Sequence, residues 1–492
     1  MIDFDTLTYA DAQKIIASKE NESFDKTLKF YDGDHWQASD GWIGPKPDDA
    51  SIRNMIENEF VFHNAVKEVV DNHVSGLVSN GVHWWSDDES IQTLLTDWLN
   101  LRNLPDVFRQ FIGTLAMTGK GAIRVFLPPA FVQDGEVSTF GSVEDALKHV
   151  HVHALTHHQS CQYIHPETLV ELQLYHYSIK DIFSGTNKQY IETSYVDIQS
   201  DELVIRILPE GDAAQELRLP FGVSLVQHGE RERLITPSVL QMQRALNLSY
   251  TNMSKNGVVG GFVERTFINA QVPAVVTYEN GRKVSRPGDL KVGPGKANFI
   301  EGVRYLDANN NTVLATPDLI YRDPVSPETF IQAAAHQKMV ILQECQQLHK
   351  VLSGASSVSA VSRVEARADF HNSLTLTKTA FDTAWSATLQ SALALAQYLS
   401  GDGGDVPDIH TDCKINTGPI SADEKRIILD WIQLGKLSLE TGLSMIGIDD
   451  PQAEIEKLKS EKPDGVSVAE MLVNLQNQQQ VDTQQDNTED DN

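Results

Sequence analysis

Between positions 149 and 165 the chain concentrates nitrogen donors: His149, His151, His153, His157, His158 and His165, with Cys161 among them. On an extended strand alternate residues share a face. His149, His151 and His153 could therefore converge, and three neutral imidazoles on one face are a plausible cradle for a transition-metal ion. The competing reading is a strand with one polar, solvent-facing side. No carboxylate stands at a recognisable spacing to serve as general base for a metal-bound water. A metal-dependent enzyme built on the His149–His165 stretch is thus the alternative function, not the leading one.

Two glycine-lysine turns point toward phosphate chemistry and fall short of it. Gly293-Pro294-Gly295-Lys296 lacks a first glycine at the phosphate-loop spacing and carries Ala297 where a magnesium-binding hydroxyl is needed. Met117-Thr118-Gly119-Lys120-Gly121 reads as a turn before a strand. No G-x-S-x-G, H-E-x-x-H or C-x-x-C occurs, so no hydrolase elbow or zinc-enzyme motif is available. The expectation is a protein with no catalytic residues and no cofactor, and hence no enzyme.

The elements that would position such residues are punctuated clearly. Val66, Val69, Val70, Val74 and Leu77 recur at helical spacing within Asn58–Trp85, and Gly81 ends the pattern. Ala122–Leu127 and Glu202–Leu208 alternate like strands. Thr236-Pro237 caps and opens a helix whose stripe runs through Val239, Met242, Leu246, Tyr250 and Met253 to about Asn256, where Gly257, Gly260 and Gly261 should dissolve it. Phe262–Tyr321 reads as a small β-rich insertion. Val275–Tyr278 and Arg282–Ser285 flank Glu279-Asn280-Gly281, and Asn-Gly is a strong hairpin signal. Gly293–Gly295 and Asp307–Asn311 mark further turns.

A second helix is expected from Ser326 to Leu352. Ser353-Gly354-Ala355-Ser356-Ser357-Val358-Ser359 then breaks the chain. A third helix, Arg363–Leu399, carries Phe370, Leu374, Thr377, Phe381, Trp385, Leu389, Ala392 and Leu399 as one continuous apolar stripe. A helix this long must find its partners in space. Gly401–Asp405 links it to a helical module, Leu437–Lys462. There Ser438 caps, Gly447 stops, and Asp449-Asp450-Pro451 opens the next helix. Gln476–Asn492 is polar and acidic, and cannot bury enough to order itself.

Composition narrows the class. A length of 492 residues suggests about three domains. No apolar run approaches the ~20 residues of a membrane span, and the N-terminus lacks the basic-then-apolar order of a signal peptide. Three distant cysteines, Cys161, Cys345 and Cys413, imply no disulfide framework. A soluble protein from a reducing compartment is expected. The formal charge of −28 argues against a broad basic surface and so against sequence-reading of DNA. It fits either plain solubility or a wall that touches DNA without holding it.

The Leu437–Lys462 module, with its "lS-x-ET", "DDP" and "E-x-E-x-L" order, resembles the C-terminal end of tailed-bacteriophage portal proteins. The KFYDGDHWQ segment (Lys29–Gln37) and the valine-patterned helix after Asn58 resemble their N-terminal block. The order helix, β-rich insertion, helix, small-residue loop, very long helix and helical module is similar to their stem, clip, stem, tunnel loop, wing helix and crown. With the N-terminal block, the resemblance spans most of the chain.

The resemblance implies an α+β, predominantly helical, portal-type fold. Its parts would be a wing at 1–235, stem helices at 236–261 and 326–352, and a β-rich clip at 262–325. A tunnel loop at 353–362, a long wing helix at 363–400, a crown at 401–475 and an acidic tail at 476–492 complete it. It implies a homododecameric ring at a unique capsid vertex of the virion, assembled in the host cytoplasm. Double-stranded DNA would pass through without sequence specificity. The terminase large subunit would dock during genome packaging, and head-completion or adaptor proteins afterwards. Major capsid and scaffolding proteins would surround the ring, with no membrane involved. Ser353, Gly354, Ala355, Ser356, Ser357 and Ser359 would line the channel, although Ser353-Gly354-Ala355 matches the family's S-G-x-A only loosely and the loop has no basic tip. As a plain structure, the same loop is a flexible turn between helices. Phe370, Phe381, Trp385 and Leu389 are expected to pack between subunits.

Overall fold

Strand-like alternation in the first half of the chain and long helical stripes in the second produce a mixed molecule, 53% helical and 22% strand, which is an α+β protein weighted to helix. The computed structural model describes residues 4–460 except 20–21, 40–47, 49, 59, 80, 129–131, 134–135, 138, 181–186, 262–263, 272–274, 280–281, 287–300, 309, 323–324, 353–358, 403–405, 419, 421, 447 and 449–450. The Gln476–Asn492 tail, most of the small-residue segment, Gly293–Lys296, Gly447 and Asp449-Asp450 therefore lie outside the described residues. The chain forms two compact units. One comprises Met1–Asp34, Asn64–Leu240 and Met339–Asn492, the other His35–His63 and Gln241–Lys338.

In the first unit, the valine periodicity folds as expected. Asn64 caps the helix Ala65–Val78 by accepting from the Lys67 amide at 2.9 Å, and Val66, Val69, Val70, Val74 and Leu77 are all buried. Lys120–Phe126 is the centre of a three-stranded antiparallel sheet, flanked by Val226–Glu230 and His151–Leu155. A second sheet is a five-stranded meander from Ser160–Ile164 to Gln215–Leu219, each strand antiparallel to the next in sequence. Leu7, Ala12 and Ile15 from the N-terminal helical region bury against Leu172, Leu174, Ile191 and Leu208 of that meander.

The long helix runs Ala360–Ser400, 41 residues or about 60 Å. It begins three residues before the expected start because Ser359 caps it, accepting from the Ser362 amide at 3.2 Å. It ends at Gly401, whose φ of 71° supplies the left-handed cap. Phe370, Phe381, Trp385 and Leu389 are buried at 0–2% exposure within this one chain. Phe108 meets Phe381 and Trp385 edge-on at 5.2 and 4.7 Å, and His349 stacks on Phe370. The four residues expected to pack between subunits are already covered within one chain. Their partners sit far away in sequence but in the same unit, so this stripe closes internally. In the C-terminal module, Val364 of the long helix joins Ile428, Leu429, Ile432 and Met445 in one cluster. Ser438 accepts from the Thr441 amide at 3.1 Å, as its capping role requires.

The second unit holds most of two helices with paired strands between them, together with the short helices His35–Ala38 and Ala50–Asn58. The first helix, Pro237–Gly261, passes through all three glycines that were expected to end it. Glycine weakens a helix by about 1 kcal/mol without sterically forbidding it, and tertiary polar bonds hold the helix further toward its start. Gln243 Nε2 donates to His63 O at 2.8 Å, and Asn247 bonds His35 Nδ1 at 2.9 Å. The second helix is Pro327–Glu344. It runs beside the first, with Ser249 Oγ donating to Gln337 Oε1 at 2.9 Å and Asn256 exchanging two hydrogen bonds with Val325. It stops eight residues short of Leu352. A turn with Gln346 at φ 56° intervenes before a last helical turn, His349–Leu352.

Between these helices lie two-stranded pairs. Glu264–Ile268 pairs with Asp318–Arg322, Val275–Glu279 with Arg282–Arg286, and Arg304–Leu306 with Thr312–Leu314. The Asp307–Asn311 turn closes the last pair, Asp307 N donating to Asn311 O at 2.9 Å. Among the described residues, no helix is long and apolar enough to cross a membrane.

Candidate functional site

The described residues on either side of the segment expected to line a channel are held by buried polar groups. Of the six residues expected to line it only Ser359 is described, as the helix cap; Ser353, Gly354, Ala355, Ser356 and Ser357 lie outside the described residues. On the near side, Gln347 Nε2 donates to Val69 O at 2.7 Å. His349 stacks on Phe370 at 4.5 Å with 28° between planes, and its two ring nitrogens meet no partner among the described residues. Burial, then the neighbouring Arg367 and Lys350 charges, push the His349 pKa down to about 3, so the ring is neutral. On the far side, Arg367 donates through Nη1 to Thr417 O at 2.6 Å and to Gly418 O at 3.2 Å. Glu424 faces Arg367 at 3.6 Å and Arg363 at 3.7 Å, with Arg367 and Glu424 both nearly closed to solvent.

A second polar network crosses the long helix at Thr377. Arg231 Nη1 donates to His73 Nε2 at 3.1 Å and also to Thr377 Oγ1. Because the guanidinium can only donate, His73 Nε2 must accept, which places the neutral ring's proton on Nδ1. Burial and then the Arg231 charge lower the His73 pKa to about 3. Sequence reasoning missed this group. Arg231 stands in an irregular stretch without a motif, and its partners are 158 and 146 residues distant.

His149, His151 and His153 do not share one strand face. Ser142 caps a short helix, Val143–His149, by accepting from the Asp145 amide at 3.2 Å; Ala146 and Leu147 bury. His149 thus ends a helix and stacks on Phe140 at 4.9 Å. His151 opens the following strand beside Phe126, its pKa lowered first by burial, then by Arg102 and His149. His153 is exposed opposite Arg124. The alternation fails because the helix capped by Ser142 continues through His149, so only His151 and His153 lie on the strand. His165 Nδ1 accepts the Glu167 and Thr168 amides at 3.3 and 3.2 Å, closing a turn.

What gathers instead is Asp25, His157 and His158. Their donor atoms lie within 4.8 Å of one another, the only such group of three among the described residues. His157 Nε2 and His158 Nε2 approach the same Asp25 Oδ1 at 3.1 and 2.9 Å. Asp25 lies in the helix Glu22–Asp32, and both histidines lie in the turn between His151–Leu155 and Ser160–Ile164.

Neither glycine-lysine turn offers a described phosphate cradle. Gly119 adopts φ 80° between helix Leu104–Thr118 and the central strand, where a Cβ would stand 2.6 Å from Arg231 O. Lys120 pairs with Glu230 at 3.0 Å. Burial raises the thiol pKa of Cys161 to about 11 and of Cys345 and Cys413 to about 12, so none is a ready nucleophile at neutral pH.

No protein-family model matches the chain, and no curated protein does. Among solved structures it is similar to a chain in the virion of a native gene transfer agent particle. That match has 13% identity and a TM-score of 0.29, covering 84% of this chain and 97% of that one. It is similar to a chain in the neck of the native particle computed with C12 symmetry, at 14% identity, 81% and 93% coverage and a TM-score of 0.34. A chain in the neck of the empty particle computed with C6 symmetry gives 14% identity, 84% and 97% coverage and a TM-score of 0.30. Each superposes only loosely.

Proposed function

We propose that this chain is a portal-type subunit whose copies form a DNA-conducting ring, with twelve the expected number, at one vertex of a phage capsid. The observation that carries the reading is the order and pairing of its elements. Two helices that run side by side, Pro237–Gly261 and Pro327–Glu344, enclose a run of β-pairs, and a break then leads into a 41-residue helix. That arrangement suits a stem, a clip and a wing helix, in the sequence order that the chain's resemblance to portal proteins implies. Apolar side chains left open on the same helices also favour a second copy as neighbour. Ile331, Met339, Val361 and Leu376 are 37–58% exposed, and a closed ring would cover such a surface.

In this role the chain has no catalytic activity. The terminase large subunit supplies ATP hydrolysis, double-stranded DNA passes the 353–362 segment, and head-completion or adaptor proteins dock on the β-pairs. A net charge of −28 per chain keeps DNA from binding the wall tightly. Negative-stain imaging of the purified protein tests this directly. Rings with a central hole and no ATP turnover are expected; a stable monomer by native mass spectrometry at micromolar concentration would refute the ring. Ser356→Lys then tests the channel. One added cation per subunit should steepen the salt dependence of DNA retention and slow packaging, and unchanged behaviour would remove 353–362 from the lumen.

A further inference from the structure

We propose that Asp25, His157 and His158 form a zinc site that clips the helix Glu22–Asp32 to the turn between strands His151–Leu155 and Ser160–Ile164. The inference stands independently of the portal reading. Two imidazole nitrogens converge on one carboxylate oxygen at 3.1 and 2.9 Å. In a tetrahedral zinc site with metal–ligand bonds near 2.0–2.1 Å, neighbouring donor atoms are about 3.3 Å apart. The two nitrogen–oxygen distances therefore need to lengthen by only a few tenths of an ångström to admit the ion.

The surroundings fix two of the rings. His157 is 6% exposed and packs edge-on against Phe24 at 5.6 Å, and the two imidazoles lie 3.9 Å apart at a 38° tilt. Asp25 and His158 are about half exposed, at 47% and 49%. The outer side of the cluster thus faces solvent, where water completes the ion's coordination. Two imidazoles and a carboxylate suit zinc among divalent ions, whereas calcium and magnesium require shells of oxygen. The role is a cross-link between segments about 130 residues apart in sequence.

The test uses the full chain, stripped with chelator and titrated with zinc chloride. One zinc per chain and a rise in Tm are expected. Asp25→Asn and His158→Gln should each weaken zinc binding by at least about tenfold and abolish the Tm rise, while His153→Gln, an exposed histidine outside the cluster, should leave both unchanged. X-ray absorption of the zinc-loaded natural sequence should show only nitrogen and oxygen neighbours, which keeps the test decisive if a variant misfolds. Absence of stoichiometric zinc, equal binding by all three variants, or a sulfur neighbour would overturn the site.

Discussion

The long helix and the β-pairs spend their apolar residues in opposite ways. Along Ala360–Ser400, Phe370, Leu374, Phe381, Trp385 and Leu389 are all at or below 2% exposure. In the pair Arg304–Leu306 with Thr312–Leu314, Tyr305, Leu306 and Leu314 are 53–63% exposed. A two-stranded ribbon cannot cover both of its own faces, whereas a helix with sheet and helices around it can cover its entire stripe. The first region should therefore carry more of the stability than the second, whose apolar side chains stay open within this chain. Substitutions in the two should separate cleanly.

The largest effect belongs to Trp385→Ala. The indole is 1% exposed beside Phe108 and Phe381, and its loss should cost about 3–5 kcal/mol. Urea denaturation of the purified protein measures this, and a loss under about 1 kcal/mol would mean the long helix is not the anchor described. Glu424→Ala should come next, at about 3 kcal/mol, because it leaves Arg367 buried without its counter-charge. The carbonyls of Thr417 and Gly418 still receive the guanidinium, so the cost sits at the low end for a broken buried pair. Glu424→Gln, which keeps an acceptor, should recover part of it.

A smaller effect depends on pH. His73 and His349 have folded pKa values of about 3, below the 6.5 of an exposed histidine. Below pH 6.5 the unfolded chain binds protons that the folded chain refuses. Their contribution to stability is therefore complete above about 6.5 and is lost as pH falls toward 3, at no more than about 1.4 kcal/mol per pH unit for each ring. His349→Phe keeps the stack on Phe370 and removes the titration. The slope of stability between pH 6 and 4 should flatten by up to one proton; an unchanged slope would show that His349 is already protonated in the fold.

The same contrast decides what could be read in advance. The cap at Ser438, the valine stripe from Val66 to Leu77 and the Asp307–Asn311 turn are local signals, and local geometry settled them. The long helix was legible as a stripe, but its owner was not, because Phe108 lies more than 270 residues from Phe381 and nothing in spacing names it. Period-two spacing suggested a histidine face, yet Ser142 and the Ala146–Leu147 pair made a helix of its first member. The Asp25–His157–His158 group was invisible for a different reason: its carboxylate comes from a helix that no motif connects to the histidine turn. Two of the three donors, the histidines, were in view from the start.

The smallest expected change is also the sharpest test of the contrast. Register places Arg304 opposite Leu314 and Leu306 opposite Thr312, so Leu306 and Leu314 sit diagonally on one face of the ribbon. Both are more than half exposed. Leu306→Ser with Leu314→Ser should thus change folding stability by no more than about 0.5 kcal/mol, an order of magnitude below Trp385→Ala in the same urea series. If the ribbon face serves docking, the double variant should assemble like the natural sequence and lose its affinity for the head-completion protein. A loss of stability comparable to that of Trp385→Ala would show that the face is buried by the folded protein itself, and the division between a closed wall and an open contact surface would fail at its exposed end.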